Sequence, residues 1–136
     1  MPAGRILLVE DNPVNRRLAE YLLTSRGYTV YQAGTGHEAL RLARAHVPDL
    51  IVMDLQLPGM DGYEATRILK ADAATRHIPV VALTAYAMPG DRERGFEAGC
   101  DSYLTKPLDS PELLRVVARY AGPAATPRSI DAPPGA

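Results

Sequence analysis

The sequence has no tryptophan, one phenylalanine and one cysteine among its 136 residues, and no clear excess of charge of either sign. The lone cysteine, Cys100, excludes an intramolecular disulfide and a cysteine-rich metal site. A net charge of −1 excludes the strong basic field that holds nucleic acid or an anionic membrane surface. We therefore expect no direct contact with nucleic acid.

Long apolar runs are also missing, since none approaches the roughly 20 residues of a membrane-spanning helix. The first residues carry neither the basic cluster nor the apolar stretch of a secretion signal, so we expect a cytoplasmic chain without membrane insertion. The length fits one domain. Four of the twelve prolines fall after position 121, where one bulky apolar residue remains. We expect a folded domain over 1–121 and a disordered tail over 122–136.

Five short apolar runs alternate with segments of helical periodicity. The runs are Ile6–Val9, Tyr28–Tyr31, Leu50–Met53, Ile78–Leu83 and Ser102–Thr105. Runs without alternation of apolar and polar residues are typical of strands covered on both faces, as in a parallel sheet. This order predicts an α/β, flavodoxin-like, doubly wound sheet of five parallel strands in the order 2-1-3-4-5, with five helices.

Capping residues predict where the helices begin. Candidate N-caps stand at Asn12, Thr35, Asp61 and Ser110. In the first helical segment Val14, Leu18, Tyr21 and Leu22 recur at helical spacing, and Gly27 ends the segment. This spacing predicts a helix over the segment.

Polar side chains stand at the carboxyl ends of four of the five predicted strands. Glu10 and Asp11 follow the first, Asp54 ends the third, Thr84 the fourth and Lys106 the fifth. The carboxyl ends of parallel strands meet at one edge of the sheet. We therefore expect these side chains to converge, with Asp11 facing Asp54 between two neighbouring strands.

Three carboxylates in one place repel one another unless a cation compensates for their charge. Lys106 supplies one positive charge, and Mg²⁺, which takes few carboxylates together with water and phosphate oxygens, would neutralise the remainder. A carboxylate masked by a metal beside a lysine and a hydroxyl can attack a phosphoryl group. We predict Asp54 as this acceptor, with Thr84 and Lys106 stabilising the transferring group.

Four motifs resemble the receiver domain of two-component response regulators. They are Val9-Glu-Asp-Asn-Pro13, Met53-Asp-Leu-Gln-Leu-Pro-Gly-Met-Asp-Gly62, Leu83-Thr-Ala85 and Tyr103-Leu-Thr-Lys-Pro107. The resemblance runs from about Arg5 to Tyr120, and the stretch from His77 is similar to stand-alone regulators of the DivK type and to receivers of hybrid kinases. It implies a CheY-like, single-domain regulator phosphorylated by a sensor histidine kinase or a histidine phosphotransfer protein, with a downstream protein partner.

The same resemblance implies roles for individual residues. It places Mg²⁺ on Glu10, Asp11, Asp54 and the main-chain carbonyl of Gln56. It makes Asp54 the residue that becomes 4-aspartylphosphate, and it implies a cis peptide bond between Lys106 and Pro107. Thr84 and Tyr103 match the pair that rearranges on phosphorylation and alters the face formed by the fourth helix, fifth strand and fifth helix.

Two other functions have partial support in the sequence. Gly34-Thr-Gly36-His-Glu-Ala39 fits a dinucleotide-binding fingerprint, with Asp54 about 20 residues further on. That fingerprint belongs to the first strand of its unit, however, whereas this motif follows the second strand at the sheet edge. A phosphatase acting through its own aspartyl-phosphate needs an acid two residues after the nucleophile, where this chain has Gln56. We expect a signalling module that assists its own phosphotransfer, with slow dephosphorylation, and not a metabolic enzyme.

Overall fold

The computed structural model describes residues 4–85, 90–106 and 109–123, except for the side chains of Asp91 and Arg92. Along this described part, strands and helices alternate. The strands are β1 (Arg5–Val9), β2 (Thr29–Ala33), β3 (Leu50–Asp54), β4 (Val80–Thr84) and β5 (Ser102–Thr105). The helices are α1 (Pro13–Thr24), α2 (Gly36–His46), α3 (Gly62–Ala71), α4 (Asp91–Ala98) and α5 (Ser110–Ala121). All strand pairs are parallel, in the order β2-β1-β3-β4-β5, which confirms the predicted flavodoxin-like fold.

The sheet separates two apolar cores because alternate residues of each strand point to opposite faces. One core joins the sheet to α2, α3 and α4 through residues such as Ile51, Ala82 and Leu69. The other joins it to α1 and α5 through residues such as Val52 and Leu113. β1, β3 and β4 lie inside the sheet, so the strand ends at Glu10, Asp54 and Thr84 have a neighbouring strand on each side, whereas Lys106 follows the edge strand β5.

The predicted N-caps are confirmed for the first three helices. Asn12 Oδ1 accepts from the amides of Val14 and Asn15, at 2.9 and 3.0 Å. Thr35 and Asp61 each accept from the amide three residues later. α5 differs by one residue: Asp109 is its N-cap, without a side-chain cap bond, and Ser110 is already helical.

Of the four apolar residues that recur at helical spacing on α1, three are exposed. Val14, Leu18 and Tyr21 are 66%, 64% and 72% exposed, while Ala19 and Leu23 are the buried residues of the helix. Apolar residues cover more than one side of α1, and helical spacing alone does not tell which side meets the sheet. Packing in the core therefore does not explain why these exposed residues are apolar.

Two predictions fall largely outside the described residues. Pro107, and with it the cis bond to Lys106, is one of them, and residues 124–136 of the expected tail are the other. Gly122, the first tail residue, accepts a hydrogen bond from the Tyr28 hydroxyl at 2.7 Å. None of the helices in the described segments is long and apolar enough to cross a membrane.

Candidate functional site

The acidic site lies where β1 and β3 end side by side. Val9 pairs with Met53 in the parallel register, so Glu10, Asp11 and Asp54 follow at the same edge. One carboxylate oxygen from each of the three lies within 4.8 Å of the other two. Glu10 and Asp54 are buried, whereas Asp11 is exposed. The site is thus a buried carboxylate pair with an open side at Asp11.

Lys106 joins the two buried carboxylates. Its Nζ lies 2.8 Å from Glu10 Oε1 and 2.9 Å from Asp54 Oδ2. Partial burial works to lower the pKa of Lys106, but the hydrogen bonds and charges of Asp54 and Glu10 outweigh it. The pKa of Lys106 therefore lies above its ordinary value, and the side chain stays cationic.

Both carboxylate oxygens of Asp54 have a hydrogen-bond donor. The main-chain amide of Gln56 donates to Oδ1 at 2.9 Å, and Lys106 donates to Oδ2. α3 begins close to the same point, because a Cβ at Gly62 would overlap the carbonyl oxygen of Asp54. The Gly62 amide instead donates to Leu55 O at 3.2 Å. Asp54 is therefore held in one orientation, and glycine at position 62 makes the close approach possible.

Thr84 and Tyr103 lie on the same face of the sheet. Ala82 pairs with Tyr103 and Thr84 pairs with Thr105, so the two predicted switch residues are diagonal neighbours. The Thr84 side chain is buried, and its Oγ1 donates to Gln56 Oε1 at 3.1 Å. Tyr103 is half-buried beside Gly95 of α4, where a Cβ would lie 3.6 Å from the tyrosine ring. The pair thus links the acidic site to α4.

The donor set fits magnesium. Three carboxylates lie together, one lysine contacts two of them, and the side at Asp11 is open to water. Mg²⁺ prefers hard oxygen ligands and retains several waters, so it suits a site with few protein ligands. Glu10, Asp11 and Asp54 are the residues that would hold it, and the main-chain carbonyl of Gln56 stays a predicted fourth ligand.

Two features of the site were not predicted. The Gln56 side chain accepts from Thr84 and also from the Ala85 amide, at 3.1 Å each, although sequence reasoning gave Gln56 a main-chain role. A cleft of about 630 Å³ also opens from the acidic site along α1, lined by Leu18 and Tyr21 on one side and Lys106 on another. The apolar residues of α1 were the available signal, but their helical spacing does not tell which of them are exposed.

The dinucleotide-like motif has a packing explanation. A Cβ at Gly36 would lie 2.9 Å from the carbonyl oxygen of Met60, in the loop between β3 and α3. Gly36 therefore lets α2 approach that loop. The motif follows β2, an edge strand, whereas the acidic residues follow β1 and β3. This placement removes the reason to assign nucleotide binding to the glycines.

Comparisons with known proteins agree with this geometry. The sequence model of the response regulator receiver domain matches residues 6–118. The polar-differentiation response regulator DivK of Brucella ovis is 46% identical over 119 residues, which are 88% of this chain and 97% of that protein. The likeness to relatives therefore spans nearly the whole folded region.

Solved structures show the same likeness. The receiver domain of a sensor histidine kinase from Pseudomonas aeruginosa, with magnesium coordinated in its active-site cleft, is 46% identical with a TM-score of 0.80. The match covers 86% of this chain and 96% of the Pseudomonas aeruginosa chain. The chemotaxis protein CheY4 of Vibrio cholerae is 28% identical with a TM-score of 0.81, over 86% of this chain and 98% of that one.

Proposed function

Because the chain belongs to the response regulator receiver family of two-component systems, we propose that Asp54 accepts a phosphoryl group in a Mg²⁺-dependent reaction that switches partner binding. The observation that carries this proposal is the convergence of Glu10, Asp11 and Asp54, two of which, Glu10 and Asp54, contact Lys106. Asp54 is the last residue of the central strand β3, and both of its carboxylate oxygens accept hydrogen bonds.

The chemistry is transfer of a phosphoryl group from a histidine nitrogen to a carboxylate oxygen. A bond forms between phosphorus and an oxygen of Asp54 as the bond to the donor nitrogen breaks, and the donor leaves with the electron pair. Bound Mg²⁺ supplies neutralisation of the carboxylates and of the phosphoryl oxygens. Lys106 stays cationic beside Asp54 and stabilises the charge of the transferring group.

The phosphodonor docks on the exposed apolar residues of α1. Leu18 and Tyr21 line the same cleft as Glu10 and Lys106, the two residues joined by an ion pair beside Asp54, so a protein bound there lies next to the acidic site. Exposed apolar residues clustered beside a reactive group mark an interaction surface. This surface suits a sensor histidine kinase or a histidine phosphotransfer protein, which must bring a phosphohistidine to Asp54.

The output of the switch is the face formed by α4, β5 and α5. A phosphoryl group on Asp54 offers acceptor oxygens to the Thr84 hydroxyl. Movement of Thr84 leaves space on the face that it shares with Tyr103, which turns inward and changes the surface beside α4. A downstream protein partner recognises that change, and a coupling of this kind is typically worth about 1–3 kcal/mol.

Intact-mass spectrometry tests the phosphoacceptor. Incubation with acetyl phosphate and Mg²⁺ should add one phosphoryl group to the wild type and none to Asp54→Asn. Asp61→Asn is the matched control, because Asp61 caps α3 and lies outside the acidic set. Labelling of Asp54→Asn at the wild-type rate, or undiminished labelling in excess chelator, would contradict the proposal.

A second experiment tests the donor surface. Leu18→Ser should slow phosphotransfer from a histidine kinase at least tenfold and leave labelling by acetyl phosphate unchanged, because the small donor needs no docking surface. Phe96→Ser is the control, since Phe96 is 46% exposed on α4 and outside the cleft. Equal transfer rates for both variants would refute docking on α1.

A further inference from the structure

The side chain of Arg16 turns back from α1 to the end of β1. Its Nη1 donates to the main-chain carbonyl of Glu10 at 2.9 Å, and the side chain is half-buried. That carbonyl lies just beyond the last strand residue. Arg16 therefore fixes the main chain at the point from which the buried Glu10 carboxylate projects.

The other polar groups of Glu10 are also occupied. Its amide donates to Ala33 O at 3.0 Å, Oε1 lies 2.8 Å from Lys106 Nζ, and Oε2 accepts from the Asn12 amide at 3.1 Å. Each of these contacts fixes one atom of the residue. Among the described contacts, the hydrogen bond from Arg16 is the one that holds the Glu10 carbonyl. Its loss would let the main chain at Glu10 rotate.

The loop after β2 leaves room for the Arg16 guanidinium. A Cβ at Gly34 would lie 3.1 Å from Arg16 Nη1, which is a tight contact. The amide of Gly34 donates to Glu38 Oε1 at 2.7 Å, and this bond holds the loop in place. The first glycine of the dinucleotide-like motif thus provides space for an arginine beside the acidic site.

We propose that Arg16 is a positioning residue of the phosphorylation site, which acts through the main chain of Glu10 to hold the acidic residues in the geometry that binds Mg²⁺. The proposal rests on the proposed function, because it concerns the same site. Arg16 touches neither the acceptor carboxylate nor the transferring group in this role. Residues that orient metal ligands in this way typically change metal affinity by 10–100-fold.

A positioning role and a purely electrostatic effect of Arg16 predict opposite changes in Mg²⁺ affinity when the arginine is replaced. Loss of a positive charge near three carboxylates should by itself strengthen the binding of a cation. Loss of a positioning contact should weaken it. Arg17 is the next residue along α1, is exposed and carries the same charge. Arg17→Met is therefore a matched control for Arg16→Met.

Magnesium affinity, measured by calorimetry, is the first readout. We expect Arg16→Met to weaken Mg²⁺ binding about tenfold, Arg17→Met to leave it unchanged or slightly tighter, and Arg16→Lys, which keeps a donor, to recover most of the loss. Binding by Arg16→Met that is as tight as by Arg17→Met would overturn the proposal, as would the absence of any recovery in Arg16→Lys.

Amide hydrogen exchange in the metal-free protein is the second readout. The Asn12 and Glu10 amides should exchange about tenfold faster in Arg16→Met than in Arg17→Met, and equal rates would overturn the proposal whether or not metal binds. A wild type that binds Mg²⁺ without being labelled at Asp54 would refute the proposed function, while both readouts would still decide the role of Arg16.

Discussion

Thr84 Oγ1 donates a hydrogen bond to Gln56 Oε1 over 3.1 Å, so the hydroxyl proposed to serve a phosphoryl group is held by the residue two positions after Asp54. The Ala85 amide donates to the same oxygen, also at 3.1 Å. Gln56 thereby joins the end of β4 to the loop after β3. In the proposed switch, a phosphoryl oxygen takes the place of Gln56 Oε1 as the acceptor of the Thr84 hydroxyl.

Thr84→Ala should separate phosphorylation from its consequence. Without the hydroxyl, Asp54 should still be labelled by acetyl phosphate, but the change at Tyr103 should be lost because nothing on β4 responds to the phosphoryl group. NMR of the wild type and the variant, with and without beryllofluoride as a phosphoryl mimic, measures this through the shifts of Tyr103 and α5.

Thr105→Ala is the control for that experiment. Thr105 pairs with Thr84 in the parallel register but is exposed at the end of β5. It should show the wild-type shifts. If Thr84→Ala also shows wild-type shifts around Tyr103, then Thr84 is not the coupling residue.

The sequence predicted the site well because the topology of a parallel sheet brings strand ends together. Glu10, Asp54 and Lys106 are far apart in the chain, yet strand order alone predicts that they meet at one edge, where Lys106 Nζ lies 2.8 Å from Glu10 and 2.9 Å from Asp54. Local patterns likewise predicted the caps at Asn12 and Thr35. These features depend on spacing and register, which a sequence expresses directly.

Other features depend on side-chain direction, which spacing does not specify. Leu18 and Tyr21 matched a helical stripe, but Ala19 and Leu23 face the sheet instead. The hydrogen bond from Arg16 to the Glu10 carbonyl requires the arginine side chain to reach back over six residues of the chain. No local sequence motif indicates this direction. The same holds for the Gln56 side chain, because the hydrogen bonds that it accepts from Thr84 and Ala85 depend on the tertiary structure.

Asp11→Asn should have opposite effects on stability with and without metal. In metal-free protein it removes one of three mutually repelling carboxylates, so the free energy of unfolding should rise by about 1 kcal/mol. In Mg²⁺ at a hundred times the wild-type Kd, the wild type should gain about 2.7 kcal/mol and the variant much less. Urea denaturation at both metal concentrations measures the two effects.

Glu97→Gln is the control for charge at an exposed position on α4. It should leave both the metal-free stability and the gain from Mg²⁺ close to those of the wild type. An Asp11→Asn protein that gains as much from Mg²⁺ as the wild type would show that Asp11 is not part of the metal site.

Cys100 should make stability depend on pH in the alkaline range. Burial raises the pKa of its thiol to about 11 from an ordinary value near 9, so the folded protein retains a proton that the unfolded chain has lost. Stability from this group is fully present below about pH 9 and is lost as the pH rises to about 11, by roughly 2–3 kcal/mol. Urea denaturation between pH 8 and 11, in reductant, measures the slope.

Cys100→Ala lacks the thiol and should show a shallower loss of stability over the same pH range. Burial also raises the pKa of Tyr28, so some dependence above pH 10 should remain in the variant. Identical slopes for the wild type and Cys100→Ala would show that the thiol ionises as easily in the folded protein as in the unfolded chain.

The boundary of the folded domain should lie just after Gly122. Residues 124–136 offer little apolar area to offset the entropy of ordering, so their removal should shift Tm by less than about 2 °C. A truncation after Ala121 should do more, because the buried Tyr28 hydroxyl then loses the Gly122 carbonyl that accepts its hydrogen bond at 2.7 Å. We expect a cost of about 1 kcal/mol, or roughly 4 °C in Tm for a domain of this length. Tyr28→Phe provides the control: it should lower Tm in the full-length chain and make truncation after Ala121 nearly neutral, since the two changes remove the same bond. Additive losses, or a large loss from removing 124–136 alone, would show that the tail contacts the domain elsewhere.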